Sequence, residues 1–271
     1  MSRTGLARWC RARPSTDRLK LCLLACVASS LAACLVVLPA QAHGVGADDA
    51  LLVTSGQGAR PALLAYLGAK HMVTGLDHGL FLLGMVALLR RWRDVAAYAT
   101  LFALGHSLTL LAGVLQGWHV NAHAVDALIG LSVVYKAADN LGAFPVLLGW
   151  RPPPRAAVLT FGLAHGLGLA TQLQALQLPA DGLLINLLAF NAGVELGQLA
   201  VLAGLLLLLS LWRRGLAIRA VAKANAGPGP VAGTQRASQV AAPGGVGLQL
   251  ALATGGWVLC FGQLSQWGLA R

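Results

Sequence analysis

Six long apolar segments dominate the chain, and short polar or glycine- and proline-rich stretches separate them. The segments lie near 63–89, 95–117, 122–144, 156–177, 182–211 and 246–268. A helix needs about 20 predominantly apolar residues to cross the hydrocarbon core of a bilayer, and each segment reaches that length. The pattern predicts an all-α integral membrane protein with about six transmembrane helices.

A further apolar run at 21–38 precedes these segments and has the features of a signal peptide. Ala40-Gln41-Ala42 follows it and is typical of a cleavage site. We expect 1–42 to be a cleavable signal peptide, with His43 as the first residue of the mature chain; the alternative is that the run stays on as an extra helix. The basic residues before the run are Arg3, Arg8, Arg11, Arg13, Arg18 and Lys20.

The remaining basic residues indicate how the helices are oriented. The connections at 90–93, 145–155 and 212–245 carry arginine, whereas those at 118–121 and 178–181 contain neither lysine nor arginine. Because cytoplasmic loops are enriched in Lys and Arg, we expect the three basic connections to be cytoplasmic. Both ends of the mature chain then face outward, as a cleaved signal peptide requires.

These expectations divide the chain into five parts. The connection before the last helix is rich in Gly, Ala, Pro and Arg, which is typical of a flexible tether. We place the protein in the bacterial inner membrane as a multi-pass protein whose mature N-terminus is periplasmic. The parts are the signal peptide at 1–42, a periplasmic N-terminal segment at 43–62, transmembrane helices one to five at 63–211, a flexible basic cytoplasmic loop at 212–245 and transmembrane helix six at 246–271.

Composition and charge agree with a membrane protein. Of the 271 residues, 57% are hydrophobic and 11% are charged, whereas an ordinary soluble domain is about 25% charged. This composition excludes a disordered chain and argues against a soluble enzyme. The net charge of +11 could suggest a nucleic-acid partner, but the basic residues cluster before and between the apolar segments. We therefore expect a lipid bilayer and no nucleic acid as the partner.

Ionisable side chains inside the apolar segments are the candidates for function, because burying them in hydrocarbon is costly. His78, His106 and His165 lie ten to twelve residues from the predicted cytoplasmic edge, and Glu195 lies thirteen residues into the fifth helix. At about 1.5 Å per residue, all four come close to the middle of a core about 30 Å thick. Four helices thus place a histidine or carboxylate at one level.

The sequence repeats around two of these histidines. Residues 102–110 read FALGHSLTL and residues 161–169 read FGLAHGLGL, so that Phe, Leu and His coincide and small residues pair. In the expected topology both helices run from cytoplasm to outside. A parallel pseudo-repeat with His106 and His165 facing a shared axis would follow, although small residues are also common in membrane helices for packing alone.

His71-x5-Asp77-His78 is the strongest single motif. On an unbroken helix His71 and His78 share a face but lie about 10 Å apart, too far to bind one ion. Either Gly75 breaks the helix, or His71 is an outer relay and only Asp77-His78 belong to the central site. Asp77 would be a ligand or would orient a neighbouring imidazole.

Other polar residues have local explanations as well as functional ones. Asn191 and Glu195 are one helical turn apart and could supply an amide oxygen and a carboxylate. Lys136 and Asp139 are three residues apart and are expected to form a local ion pair. Asp126 is expected near the outer surface, either simply solvated or in a metal-collecting patch. That patch would combine Asp126 with His119, His123 and His43.

Five stretches, in their order along the chain, carry a resemblance to a known family: the His71-x5-Asp77-His78 motif with the Phe81-Leu82-Leu83 after it, then LGHSLTL at 104–110, LSVVY at 131–135, FGLAHG at 161–166 and FNAGVELGQ at 190–198. Over roughly 61–212 they resemble the HupE/UreJ membrane proteins. The resemblance implies a nickel permease, with cobalt in some members, whose His-x5-Asp-His motif is needed for transport. The chain departs from the family where Asp126 and Asp139 stand in place of Glu, and where a flanking His is missing from the second histidine motif.

Imidazole with carboxylate or amide oxygen suits Ni²⁺ and Co²⁺ but does not distinguish them from Zn²⁺. We expect an uptake permease and not an enzyme, with the ion as cargo and no prosthetic group; a link to hydrogenase or urease maturation follows from the family alone. The alternatives are an intramembrane zinc-dependent hydrolase, and a haem or quinone protein with His106 and His165 as axial ligands. The candidate metal ligands are His71, Asp77, His78, His106, His165, Asn191, Glu195 and, on the outer side, His43.

Overall fold

The computed structural model of the protein describes residues 58–89, 91–176, 178–225 and 245–269. Within these ranges every regular element is a helix. The expected signal peptide, His43 and most of the expected basic loop lie outside the described residues. The helices are α1 Pro61–Thr74, α2 Leu76–Val86, α3 Trp92–Gln116, α4 Ala122–Leu141, α5 Ala143–Leu147, α6 Pro154–Ala175, α7 Leu183–Asn225 and α8 Val246–Leu269.

Four of the described helices are long and apolar enough to cross a membrane. They are α3, α6, the Leu183–Gly215 part of α7 and the Val246–Gly268 part of α8. The prediction of an all-α, multi-pass membrane protein is therefore confirmed. The number of about six spans stays a prediction, because α4 carries the three charged residues Asp126, Lys136 and Asp139 and the first apolar segment is not one continuous helix. The signal peptide stays a prediction as well.

The first apolar segment is broken at Gly75, which is the first of the two alternatives for the His71-x5-Asp77-His78 motif. α1 ends at Thr74 and α2 begins at Leu76, while Gly75 has an extended backbone with φ −70° and ψ 108°. A Cβ atom on Gly75 would lie 2.5 Å from Nδ1 of His78 and 3.0 Å from Oδ1 of Asp77. Glycine is favoured here because a Cβ atom would crowd the side chains of Asp77 and His78.

Helix α7 is longer than the apolar run that predicts it. It continues through the segment 212–225, where Arg213 Nη2 donates a hydrogen bond to the backbone oxygen of Ala87 at 3.1 Å. The first part of the expected loop is therefore helical. Charged residues such as Arg213 and Arg214 are good helix formers and extend the helix without extending the apolar run.

Helices α3 and α6 pack in direct backbone contact through glycines. A Cβ on Gly162 would collide with the backbone oxygen of Phe102, and one on Gly166 with that of His106. Residue numbers in the two helices rise together along this contact, so α3 and α6 run parallel. The predicted parallel arrangement is confirmed, and the small residues of the repeat are what allow the close approach.

Glycines also allow close backbone contact in two further helix pairs, α1 with α7 and α4 with α8. A Cβ on Gly193 of α7 would meet the backbone of Ala65 of α1, and these helices also run parallel, because Arg60 N donates to Asn186 Oδ1 at 2.7 Å near one end. A Cβ on Gly130 of α4 would meet the backbone of α8 at Cys260. That pair is antiparallel, with His123 near Gln263 at one end and Asn140 near Gln249 at the other.

These directions bring the arginine-bearing connections to one end of the bundle. Arg213 reaches the end of α2, where the chain turns into α3, and α6 begins at the same end because it is parallel to α3. Arg151, just before α6, donates to Asp139 near the end of α4 at 2.7 Å. Connections with arginine and connections without it therefore lie at opposite ends of the bundle in the structure, as the sequence predicts. Which end faces the cytoplasm stays a prediction.

Candidate metal centre

The break at Gly75 brings the two histidines of the first motif together. The ring centroids of His71 and His78 are 5.1 Å apart, compared with about 10 Å along an unbroken helix. α6 adds His165, whose ring centroid lies 5.0 Å from that of His78. Asp77, His78 and His165 are buried, and each offers one ligand atom such that these atoms all lie within 4.8 Å of one another.

Hydrogen bonds orient both buried imidazoles for metal binding. Nδ1 of His78 lies 2.9 Å from Oδ1 of Asp77, and Nδ1 of His165 lies 2.9 Å from the backbone oxygen of Phe161. A carboxylate and a carbonyl only accept, so each Nδ1 carries the proton and donates. The lone pair is then on Nε2 of both rings, which is the arrangement found in metal-binding histidines. Asp77 thus orients its neighbour, and a carboxylate has a second oxygen that can bind an ion.

A cavity opens beside this cluster. On α6 its lining follows one helix face, because His165, Leu169 and Gln172 are separated by one helical turn each. α4 contributes Asp126 and Ile129 from its first two turns. The full lining is His71, Asp77, His78, Asp126, Ile129, His165, Gly168, Leu169 and Gln172.

Asp126 is a lining residue whose surroundings differ from the sequence interpretation. It is expected near the outer surface, either solvated or in a metal-collecting patch, but it is only 7% exposed and lines the cavity. α4 comes close to α6 at this point because α6 has no side chain at Gly168, where a Cβ would lie 2.7 Å from Cγ1 of Val125. Asp126 and His78 line the same cavity from different helices.

Gln172 is the second polar lining residue that sequence reasoning missed. Its Oε1 is buried and has no hydrogen-bond partner among the described residues. The signal that could have revealed it is its spacing from His165, because seven residues bring a helical side chain back to the same face.

The expected outer patch is not formed by the residues that the structure describes. Nδ1 of His119 is 2.7 Å from the backbone oxygen of Gly117, and Nδ1 of His123 is 2.9 Å from Oε1 of Gln263. Asp126 faces the cavity instead of joining them. His43, the remaining member, lies outside the described residues.

Aromatic rings close the side of His165 opposite Gln172. The ring centroids of Phe81 and Phe102 lie 5.9 and 5.0 Å from that of His165, and both side chains are buried. Phe161, one turn before His165 on α6, packs against Phe81 at 6.0 Å. The polar cavity therefore ends at an apolar layer.

His106 lies close to the cluster but does not line the cavity. It is 2% exposed, and Phe102 stacks on it at 6.2 Å while also contacting His165. Its Nε2 has no hydrogen-bond partner within the described part of the chain. One phenyl ring therefore contacts both histidines of the repeat, and the structure does not bring His106 together with the candidate ligands Asp77, His78 and His165.

Asn191 and Glu195 form a separate polar pair. Their side chains share a face, as predicted, and Asn191 Nδ2 donates to Glu195 Oε1 at 3.1 Å. Ser107 of α3 donates to the same oxygen, also at 3.1 Å. Neither residue lines the cavity, and the structure does not bring this pair together with Asp77, His78 and His165.

The predicted ion pair of α4 is confirmed at the arginine-bearing end. Lys136 Nζ lies 2.8 Å from Oδ2 of Asp139, and Arg151 Nε lies 2.7 Å from the other oxygen. The hydrogen bond to Asp139 raises the pKa of the Arg151 guanidinium. The carboxylate is saturated by two cations and is not a free ligand.

These features define a multi-pass helical membrane protein that has buried histidines and carboxylates around a cavity between its helices. A family model described as HupE / UreJ protein matches residues 47–237. The chain belongs to this family, as the resemblance of its motifs predicts. No curated protein and no solved structure matches it.

Proposed function

We propose that the protein is an uptake permease that carries Ni²⁺, or Co²⁺, across the inner membrane through the cavity beside His78. The HupE/UreJ family is associated with nickel and cobalt transport. The observation that carries the proposal is the convergence of Asp77, His78 and His165, whose ligand atoms lie within 4.8 Å of one another. These three residues come from two helices that are far apart in sequence.

The ligand chemistry supports a transition metal. Two imidazole nitrogens and a carboxylate oxygen suit Ni²⁺, Co²⁺ and Zn²⁺ better than Mg²⁺ or Ca²⁺, which prefer oxygen alone. Transport also requires release, so a shell that is completed by water serves better than a closed cage. We expect the ion to be cargo, with no resident prosthetic group.

The path that we propose runs first through the polar cavity and then past the aromatic side chains that lie beyond it. The ion is captured outside by His43, enters the cavity from the α6 end that carries Gln172, and passes His71 to bind at His78 and His165. It leaves past Phe81 and the other aromatic rings toward the arginine-bearing, cytoplasmic end. Because protons and metal compete for the same ligand atoms, protonation of the site would favour release.

A transporter is favoured over an enzyme, but one alternative has a specific basis. Two histidines and a carboxylate are also the ligand set of some catalytic zinc sites. An intramembrane zinc-dependent hydrolase would retain one zinc ion per chain through purification, whereas a permease would exchange it. Metal analysis of the purified protein distinguishes the two.

Nickel accumulation in cells that lack their own nickel uptake tests the proposal directly. Cells with the unmodified protein should accumulate radioactive nickel, and His78→Ala should reduce this to background because it removes a central ligand. His123→Ala is a matched control, since His123 bonds Gln263 outside the cavity. Wild-type uptake by a properly inserted His78→Ala variant would refute the mechanism. Unlabelled cobalt and zinc as competitors would rank the metals.

A further inference from the structure

We propose that the connection between α4 and α6, residues 142–153, is a lid over the arginine-bearing end of the ion path. The ion pair of Arg151 with Asp139 holds this lid closed. The inference rests on the proposed transport function and adds to it a device that keeps the inner end of the path shut while the ion is at the metal cluster.

A continuous series of aromatic contacts leads from the metal cluster to the lid. Phe81 lies against His165, and Phe161 lies against Phe81. The ring of Tyr135 on α4 comes next, with its centroid 5.2 Å from that of Phe161. Phe144 of α5 covers Tyr135 at a centroid distance of 4.9 Å. The lid therefore lies over the end of the aromatic layer that the ion has to pass.

Tyr135 and Asp139 are the polar groups that an ion meets after this layer. The hydroxyl of Tyr135 is buried and has no hydrogen-bond partner among the described residues, which is unfavourable while the lid is closed. Water or a hydrated ion satisfies this hydroxyl when the lid opens. Asp139 follows four residues later on the same face of α4, so a carboxylate lies next on the way out.

The ion pair joins a buried carboxylate of α4 to a side chain of the lid that water can reach. The Asp139 side chain is 1% exposed, whereas that of Arg151 is 54% exposed, and Nε of Arg151 lies 2.7 Å from Oδ1 of Asp139. Hydrogen bonds between two charged groups are stronger than those between neutral groups. Arg151 therefore fastens the lid to α4, and it can leave without crossing the bundle.

Lys136 allows the lid to open without leaving a buried charge unpaired. Its Nζ lies 2.8 Å from Oδ2 of Asp139, and both residues are on α4. A buried carboxylate that loses its only partner is strongly destabilising. Because Lys136 stays with Asp139 when Arg151 leaves, opening breaks one of two ion pairs. A divalent ion that reaches the carboxylate can take the place of the guanidinium.

The rest of the lid is held only loosely by the bundle. Ala143 is its one buried residue, and the exposed side chains of Val146, Leu147, Leu148 and Trp150 are apolar. Apolar side chains next to basic residues suit the interface between lipid and water. Gly142 and Gly149 have positive φ angles of 71° and 73° and lie on either side of α5, so the short helix is set between two turns.

Labelling of a cysteine beneath the lid tests the role of Arg151. Val158 is buried on α6, one turn before Phe161 on the same face, so a thiol in Val158→Cys should be shielded while the lid is closed. A membrane-impermeant maleimide is added to broken membranes, in which both faces are accessible. Labelling should be about tenfold faster when Arg151→Gln is also present, because a hydrogen bond between charged groups has been lost.

Two further substitutions serve as controls for this labelling. Arg151→Lys keeps the positive charge and should keep the labelling slow. Arg155→Gln removes an arginine four residues along, at the start of α6, and should not change the rate, because the oxygens of Asp139 bond Lys136 and Arg151. Equal labelling rates in the presence and absence of Arg151→Gln would refute the role of the ion pair.

A reversible crosslink tests whether transport needs the lid to open. Tyr135→Cys and Phe144→Cys together place two thiols where the rings now lie 4.9 Å apart, and a short bis-methanethiosulfonate reagent joins them. Uptake of radioactive nickel by this double variant should fall to background after crosslinking and return when a reductant removes the link. Each single variant, treated in the same way, is the control.

The outcomes separate the lid from the transport function. If the crosslinked protein still takes up nickel in a manner that depends on His78, the lid is refuted while the permease stands. If uptake does not depend on His78, the transport mechanism fails. If the double variant carries no nickel before crosslinking, the labelling decides alone, and Phe144→Ala should then also speed the labelling of Val158→Cys; an unchanged rate in that variant would refute the lid.

Discussion

Asp77 and His78 are adjacent in the chain, and the carboxylate of one fixes the ring of the other. Sequence spacing predicts both as site residues, together with His71 and His165. Depth along a helix can be read from the sequence, but the direction in which a side chain points around the helix cannot. Glu195 was therefore grouped with the site by its depth, although it is turned toward α3.

Asp126 and Gln172 were left out of the predicted site, although both line the cavity. Asp126 lies near the start of its helix, which favours solvation, yet the glycine opposite it on α6 lets α4 approach and bury it. Gln172 belongs to no recognisable motif. Both depend on the rotation and spacing of helices, which only tertiary packing determines.

Replacing Asp77 by asparagine tests whether the carboxylate orients His78. The amide has the same shape, but it can present NH₂ groups to Nδ1 and so favour the tautomer with the proton on Nε2. We expect Asp77→Asn to lower Co²⁺ affinity about 10- to 100-fold, which is typical when a partner of a metal-binding histidine is lost. Calorimetric titration of the purified protein measures this, and an affinity equal to that of the unmodified protein would contradict the role.

The break between α1 and α2 is the element on which the site depends. Sequence reasoning offered Gly75 as one of two alternatives, because glycine is compatible with a break but does not require one. The deciding fact is the space beside Gly75, which His78 and Asp77 fill. Close packing of this kind cannot be inferred from periodicity.

Gly75→Ala should disturb the site, since the new Cβ would lie 2.5 Å from Nδ1 of His78. We expect nickel uptake to fall at least about tenfold, by analogy with other changes beside metal-binding histidines. Gly79→Ala is the matched control, because no atom lies within 4 Å of a Cβ at that position in α2. Equal uptake by both variants, at equal protein levels, would show that the geometry of the break is not needed.

At the scale of the whole molecule, the arginines predict the alternation of helix directions that the structure has. The charge pattern predicts these directions because it depends only on which connections lie on the same side of the membrane. The pairing of α1 with α7, of α3 with α6 and of α4 with α8 could not be predicted from it. Membrane helices associate through close backbone contacts between small residues, and many glycines of the chain would satisfy that condition equally well.

Thiol labelling in intact cells tests the orientation. Trp118 and Trp150 are 43% and 57% exposed and lie in connections at opposite ends of the bundle. A membrane-impermeant maleimide should label Trp118→Cys in whole cells, but Trp150→Cys only after permeabilisation, because the arginine-bearing end is expected to be cytoplasmic. The unmodified chain gives the background, and the reverse pattern would overturn the orientation.

The separation of His165 from the first motif has a consequence for biosynthesis. Asp77 and His78 are made long before α6, so a chain that has not yet reached α6 holds only two of the three residues of the cluster. α1 and α2, with 14 and 11 residues, are each too short to cross a bilayer alone. We expect a nascent chain that ends before α6 to bind no nickel, so the newly made protein would begin to handle the ion only after most of its helices have entered the membrane.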